Sequence, residues 1–371
     1  MMMKIPMLDL SEQYATLKDE IMVSLDEVMS SSQFILGSNV KKLEADIAEY
    51  SHVKHAIGCG NGSDAIHIAL QAAGIGEGDE VITTPFTFFA TGGAIVRAGA
   101  KPVFVDIDPK NFNISPEKIE EAITERTKAI IPVHLYGQMA DMVKIMEIAS
   151  KHNLIVVEDA AQAIGAKQGE FSVGELGHAA TYSFFPTKNL GAYGDGGMVV
   201  TNYDEIAEMS RIIRVHGGKP KYYHSVMGYN SRLDELQAAV LNVKFPHLNT
   251  WSKLRGEHAQ VYTNLLQDQV GDYVKTPEII EGFNHVFHQY TILTDKRDEL
   301  RTFLDEQGVS SMIYYPVPLH LQPVFEYLGY KEGDFPEAEK AAKNALSLPM
   351  FPEMKEEQQK YVVEKIAAFF A

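Results

Sequence analysis

Between Lys54 and Asn202 the chain alternates short apolar runs with longer segments whose apolar residues recur at helical spacing. Such alternation leaves few solutions, because each strand must be buried on both faces by the helices that connect it to the next; it predicts an α/β body with a mainly parallel sheet flanked by helices. Strands are expected at His55–Cys59, Glu80–Thr84, Pro102–Val105, Ala129–Val133, Leu154–Glu158 and Thr181–Phe184, with Gly197–Thr201 as a further β segment. Helices are expected at Ser63–Ala73, at Thr87–Ala98 and from Ser115-Pro116-Glu117, where serine can cap, proline suits the first turn and an acidic residue follows.

A helix near Asp234–Leu248 precedes a change of texture around Trp251–Leu266. Beyond it come a strand at Gln289–Thr294, a helix near Lys296–Gln307, a proline-rich stretch from Tyr315 to Pro323 and an amphipathic helix near Glu356–Phe370. At roughly 150 residues per domain, 371 residues predict two to three domains. The texture divides them into a large domain with an N-terminal arm at 1–250 and a smaller C-terminal α+β domain at 251–371. No internal repeat and no low-complexity segment interrupts this order.

Composition removes several functions. A formal net charge of −17 repels phosphate backbones unless basic residues cluster, and they do not, so nucleic acid is not an expected partner. The single cysteine, Cys59, cannot form an intrachain disulfide and reads as a small buried apolar residue in a reducing compartment. Met1–Leu10 has no long apolar core, and no run of about 18 apolar residues occurs, so a soluble cytoplasmic protein without membrane contact is expected. No metal-ligand pattern stands out. The acidity poses a question of its own: how such a chain would hold an anionic small molecule.

In open α/β sheets ligands bind outside the carboxyl ends of the strands, and four such positions are suggestive. Gly60-Asn61-Gly62-Ser63 leads into a helix whose first N–H groups are unpaired and partly positive; it reads either as a phosphate cradle or as an ordinary turn and cap. Asp159 ends the Leu154–Glu158 run, and is either the N-cap of a helix over Ala160–Gly165 or the partner of a cationic heterocycle nitrogen. Lys188 lies among Phe185, Pro186 and Gly191, a setting that can desolvate its amine for Schiff-base chemistry; Ser183 and Thr187 are hydroxyls near it that could help bind an anion. Phe88, in Pro85-Phe86-Thr87-Phe88-Phe89-Ala90-Thr91, is either core or a ring that stacks on a flat ligand.

Phosphate cradle, stacking ring, carboxylate and lysine, in that chain order, are the parts needed to hold pyridoxal 5'-phosphate. The sequence resembles the DegT-type family of nucleotide-sugar aminotransferases, within the fold-type I pyridoxal-phosphate enzymes, from Pro6-Met7-Leu8-Asp9-Leu10 to Ser347-Leu348-Pro349. Its most specific segments are Gly60 through Ala65, Glu158-Asp159-Ala160-Ala161-Gln162, Ser183 through Gly197, and Gly228-Tyr229-Asn230-Ser231-Arg232-Leu233-Asp234. The resemblance implies that Lys188 carries the cofactor as a Schiff base, that Asp159 pairs with its ring nitrogen and that Phe88 stacks on the ring. Gly62, Ser63 and Ser183 would bind the phosphate, Gln162 would lie against the ring or its 3-hydroxyl side, and Asn230 would reach the phosphate of the neighbouring subunit, making a homodimer part of the site. Ser63 stands where many relatives have threonine, and Tyr314, before Tyr315, where many have histidine; these two tyrosines and Arg232 are the candidate substrate contacts.

The implied activity is transfer of an amino group from L-glutamate, leaving 2-oxoglutarate, to a nucleotide-linked keto-sugar in amino-sugar and polysaccharide biosynthesis. The two substrates would use one pocket in turn, giving ping-pong kinetics. Pro186-Thr187-Lys188-Asn189-Leu190-Gly191 looks more like the branch that aminates C3 than the one that aminates C4. An inosose aminotransferase is a neighbouring alternative, and a regulatory protein that keeps the fold without turnover is an alternative of another kind. Sugar dehydratases of this type replace the lysine by histidine, and Lys188 speaks against that chemistry.

Overall fold

A computed structural model of the chain describes residues 3–220 and 222–371. Two helices come first, α1 (Ser11–Ser31) and α2 (Ser38–Tyr50). The sheet region then runs β1 (His55–Cys59), α3 (Gly62–Ala72), β2 (Glu80–Thr83), α4 (Phe89–Arg97), β3 (Lys101–Phe104), a short α5 (Pro116–Ile119), β4 (Thr127–Ile131), α6 (Met142–His152) and β5 (Ile155–Asp159). A two-residue hairpin of β6 (Lys167–Gln168) and β7 (Phe171–Ser172) separates these from β8 (Ala179–Ser183) and β9 (Gly197–Thr201). Helices α7 (Asp204–Ile213), α8 (Glu235–Lys244) and α9 (Leu248–Val270) follow, then β10 (Tyr290–Leu293), α10 (Arg297–Glu306), α11 (Pro336–Asn344), β11 (Ala345–Leu348) and α12 (Glu356–Phe370).

Seven strands form one sheet in the order β1-β9-β8-β5-β4-β2-β3. All neighbours pair in parallel except those of β9, which runs antiparallel to both β1 and β8. Consecutive strand residues enter opposite cores: Ile82, Ile130, Val156, Ala180 and Val200 pack on one face, and Val81, Ala129, Val157, Ala179 and Val199 on the other. This is the two-sided burial that the unbroken apolar runs predicted, and each fully buried Val or Ile contributes roughly 1.5–3 kcal/mol. Cys59 is fully buried, and burial pushes its thiol up to about 12.

Beyond the sheet, residues 251–371 build a separate apolar cluster in which Tyr262, Tyr290, Leu300, Leu348 and Val363 meet, joined by Ile5 from the N-terminal segment. There β10 and β11 pair antiparallel. A further cluster joins Phe86 and Phe104 of the sheet region to Leu319 and Phe325.

Several expectations need correction. The change of texture at Trp251–Leu266 is one continuous helix, α9, and the expected division at 250/251 falls within its first turn. Its buried residues, Leu248, Trp251, Arg255, Ala259, Tyr262, Leu266 and Val270, lie three or four apart on one stripe, a helical period that the mixed polarity of the other faces obscures. No helix covers Ala160–Gly165, where the chain makes turns. The helix at Ser115 is only four residues long, and the serine hydroxyl donates to Glu117 rather than capping the backbone. The helix expected from Thr87 begins at Phe89, because Phe88 is extended with φ −66° and ψ 148°. No helix among the described residues is long and apolar enough to cross a membrane.

Candidate active site

The sheet topology gathers the candidate residues. Strands β1, β2, β4, β5 and β8 share one direction, so their carboxyl ends open on one edge, and antiparallel β9 brings its amino end to the same edge. The loop from Phe184 to Gly196, which carries Lys188, therefore starts and ends beside the segments that follow β1 and β5. Gly197 pairs with both Cys59 and Ser183. A Cβ on Gly197 would lie 2.4 Å from the Asn61 carbonyl carbon, and one on Gly62 would lie 2.6 Å from Ser183 Cβ, so these glycines allow the three segments to close up.

A cavity of about 510 Å3 lies on this edge. Gly62, Ser63, Phe88, Asp159, Gln162, Ser183, Thr187, Lys188, Tyr314 and Tyr315 line it together. Asn230 and Arg232 do not: Asn230 is exposed and bridges Val215, and Arg232 is half-buried outside the cavity. Sequence reasoning missed His134, Asp195, His288 and Gln289, which also line the cavity. The last two come from the segment that enters β10, where only a buried histidine beside a strand was available as a signal.

At the amino end of α3, Asn61 is the N-cap and accepts the Asp64 N–H at 2.8 Å. That leaves the Gly62 and Ser63 N–H groups without a protein partner among the described residues, beside the Ser63 and Ser183 hydroxyls. Four neutral donors lie together there, a set able to offer an anion hydrogen bonds in a chain with no positive net charge.

Asp159 is 5% exposed at the cavity floor. Its Oδ2 accepts the Thr91 hydroxyl at 2.7 Å and its Oδ1 the Ala161 N–H at 3.2 Å. The expected cap of a helix is thus replaced by a carboxylate held from two sides. Gln162 accepts the Tyr136 N–H at 2.6 Å and donates to Tyr315 Oη at 3.2 Å, which fixes its amide orientation. Phe88 is 56% exposed, an apolar face open to the cavity, with its ring centroid 5.8 Å from that of Tyr315.

Lys188 Nζ has no hydrogen-bond or ion-pair partner among the described residues, and burial pushes its amine down to about 8, partly opposed by the Asp159 charge. His288, beside it, is held well below the usual histidine range by burial first and by Lys188 next, so it is neutral. Its Nδ1 lies 3.3 Å from Asn189 Oδ1, which it meets as donor, and its Nε2 accepts from Gln289 at 3.5 Å. His134 is fixed as well: Nδ1 accepts the Ala140 N–H at 3.0 Å, so Nε2–H donates to Glu158 at 2.8 Å. Lys188 is then the cation among the cavity's side chains, facing Asp159 and Asp195.

The lysine shift has a consequence for stability. Protonated Lys188 destabilises the folded apo-protein by about 3 kcal/mol below pH 8, and the penalty fades as pH rises toward the unfolded value of 10.5, where neither state is charged. Lys188→Met is expected to raise the urea midpoint of the apo-protein at pH 7, with a gain that shrinks at pH 10. A gain independent of pH would contradict the desolvated amine.

Partnerless buried lysine, buried carboxylate, open aromatic face and a cradle of unpaired N–H groups suit pyridoxal phosphate, and with this sheet order they define a fold-type I pyridoxal-phosphate enzyme. The chain belongs to the DegT/DnrJ/EryC1/StrS aminotransferase family, which residues 15–367 match. Members of that family depend on pyridoxal phosphate, and this chain is an aminotransferase of that kind. It is 73% identical over 368 residues, 99% of each chain, to a Geobacillus stearothermophilus protein named pleiotropic regulatory protein. It is 49% identical, over 95% of each chain, to the UDP-N-acetyl-3-dehydro-alpha-D-glucosamine 3-aminotransferase of Acidithiobacillus ferrooxidans. Among solved structures, that of Streptomyces venezuelae DesV in complex with a ketimine intermediate superimposes with a TM-score of 0.96 at 40% identity, covering 99% of this chain and 98% of that one.

Proposed function

We propose that this protein transfers an amino group from L-glutamate to a nucleotide-linked 3-keto hexose, in the cytoplasm, as a homodimer making amino sugars for polysaccharides. The observation that carries the chemistry is the partnerless, desolvated amine of Lys188 in one cavity with Asp159. The 49% identical relative, named as a 3-aminotransferase of a nucleotide sugar, supports the position of amination. Its name favours C3 over the C4 and inosose alternatives.

Bound in this cavity, pyridoxal phosphate supplies an electrophilic carbon for amines and a cationic ring able to take up an electron pair. The residues do the rest. Lys188 Nζ would be the amine that holds the group covalently. With an amine substrate in the cavity, the same Nζ would be the base placed to take the donor α-carbon proton and to give it back. Asp159 would pair with the ring nitrogen and favour its protonated form by its charge. The Gly62 and Ser63 N–H groups and the Ser63 and Ser183 hydroxyls would hold the phosphate, Phe88 would offer its ring to one face of the group, and Gln162 would lie beside it. Tyr314 and Tyr315 line the side left for the sugar.

The donor's carboxylates need cations, and no arginine is among the residues that line the cavity. Arg232 and the exposed Asn230 stand outside it, on a segment whose Tyr223 and Met227 are 71% and 80% exposed. A second subunit that receives this segment would gain the amide for the phosphate and the guanidinium for a carboxylate. The regulatory name of the 73% identical relative, and the sensory-transduction name of a 42% identical one from Saccharopolyspora erythraea, favour a non-catalytic reading. Against it stand the complete Lys188 and Asp159 arrangement and the net charge of −17, which disfavours DNA.

A panel of UDP- and dTDP-linked amino sugars tests the proposal. Nucleotide-linked 3-amino hexoses are expected to bleach the visible cofactor band and, with 2-oxoglutarate, to yield glutamate. Bleaching confined to 4-amino sugars would contradict the position of amination.

A further inference from the structure

The two oxygens of Asp159 are held by different parts of the fold. Oδ1 takes the Ala161 N–H, a contact within the turn that follows β5. Oδ2 takes the hydroxyl of Thr91, on the first turn of α4 and 68 residues distant in sequence. Thr91 is fully buried, and its Oγ1 lies 2.9 Å from the Thr87 hydroxyl, itself 2% exposed. A threonine has one hydroxyl proton to give. Thr91 gives its proton to the carboxylate, which can only accept, so Thr87 is the donor in the second bond. The two hydroxyls therefore run in one direction, from Thr87 through Thr91 to Asp159.

Phe88 sits between them in the chain. Its extended backbone is the N-cap of α4, and its carbonyl accepts the Thr91 N–H at 3.2 Å. One short segment thus presents the apolar wall of the cavity and grips the carboxylate at its floor. The Ala161 N–H alone would leave Oδ2 without a donor in a buried site, and the carboxylate free to rotate about χ2. A hydrogen bond to an ionised acceptor at 2.7 Å is the stronger of the two that hold it.

We propose that Thr91 is the positioning residue for Asp159 and that Thr87 sets its polarity. Together they lock the carboxylate in the one orientation in which it meets the ring nitrogen of the cofactor. The inference rests on the cofactor reading above and adds to it two residues, Thr91 behind Asp159 and Thr87, which also lines the cavity, that act through the carboxylate. Replacing Thr91 by valine keeps shape and removes the donor, whereas serine keeps the donor.

Holoenzyme of wild type, Thr91→Val and Thr91→Ser is compared by cofactor dissociation constant, by kcat and sugar KM, and by melting temperature. Thr91→Val is expected to weaken cofactor binding about 10- to 100-fold and to lower kcat by a similar factor at unchanged sugar KM, while Thr91→Ser stays within about 3-fold of wild type. Thr87→Val, one hydroxyl further out, is expected to lose roughly 2- to 10-fold in cofactor affinity, and it carries the test should Thr91→Val not fold. Equal impairment of the valine and serine variants overturns the proposal, as does wild-type cofactor affinity in Thr91→Val, or in Thr87→Val where that variant stands in. A wild-type protein that takes up no cofactor refutes the functional reading itself, so the two failures are distinguishable.

Discussion

A Lys188→Ala protein is expected to fold, to bind pyridoxal phosphate reversibly, and to lose about 10⁴-fold in kcat. The size follows from the two duties proposed for one amine: it is the covalent anchor and, among the described residues, the lysine that lines the cavity with Asp159. His288 and His134 cannot replace it, because burial holds His288 neutral and hydrogen bonds fix both rings, to Asn189 and Gln289 in one case and to Ala140 and Glu158 in the other. Folding is expected to survive because Nζ has no partner to orphan, and its removal relieves a desolvated charge. Single-turnover assay with an amino sugar, alongside a melting curve, separates the two effects. Exogenous methylamine should restore part of the rate, since it supplies the missing base without the anchor.

Asp159→Asn is expected to lose about 3–4 kcal/mol of transition-state stabilisation, roughly 10²–10³-fold in kcat. The amide keeps the volume but carries no charge, so nothing in the site would favour the protonated ring nitrogen. It also presents an NH2 to one of two donors, the Thr91 hydroxyl or the Ala161 N–H, where the carboxylate accepted both. Cofactor affinity should fall with kcat, and KM for the sugar, whose contacts are proposed on the Tyr314 and Tyr315 side, should stay nearly constant. Wild-type kcat in this variant would remove Asp159 from the chemistry.

How far the sequence carried this account depends on what each element answers to. Strands β1 and β9 run from His55 to Cys59 and from Gly197 to Thr201 as expected, and the other sheet strands differ by one or two residues, because two-sided burial writes itself into consecutive apolar positions. Lys188, Asp159, Phe88 and Ser63 were each legible as residues beyond a strand, Ser183 as a hydroxyl near Lys188 and Gln162 only through the family resemblance, and the strand directions bring all six to one cavity. Helices α1 and α2 were not foreseen. In α1 only Gln13, Leu17, Ile21 and Val28 are buried, a stripe too narrow to stand out in a polar segment. Thr91, His134 and His288 escaped notice because their roles depend on partners 68, 24 and 99 residues away, and local spacing holds no trace of such pairings. The antiparallel course of β9 was equally hidden, yet it returns the Lys188 loop to the edge where Asp159 waits.

Lys188 as the anchor of the cofactor is the claim on which the rest depends, and peptide mass mapping after borohydride reduction of the holoprotein tests it most directly. The account predicts that the visible band disappears on reduction and that the added cofactor mass is found on the peptide containing Lys188. Cofactor mass on another lysine, or on none, would contradict it.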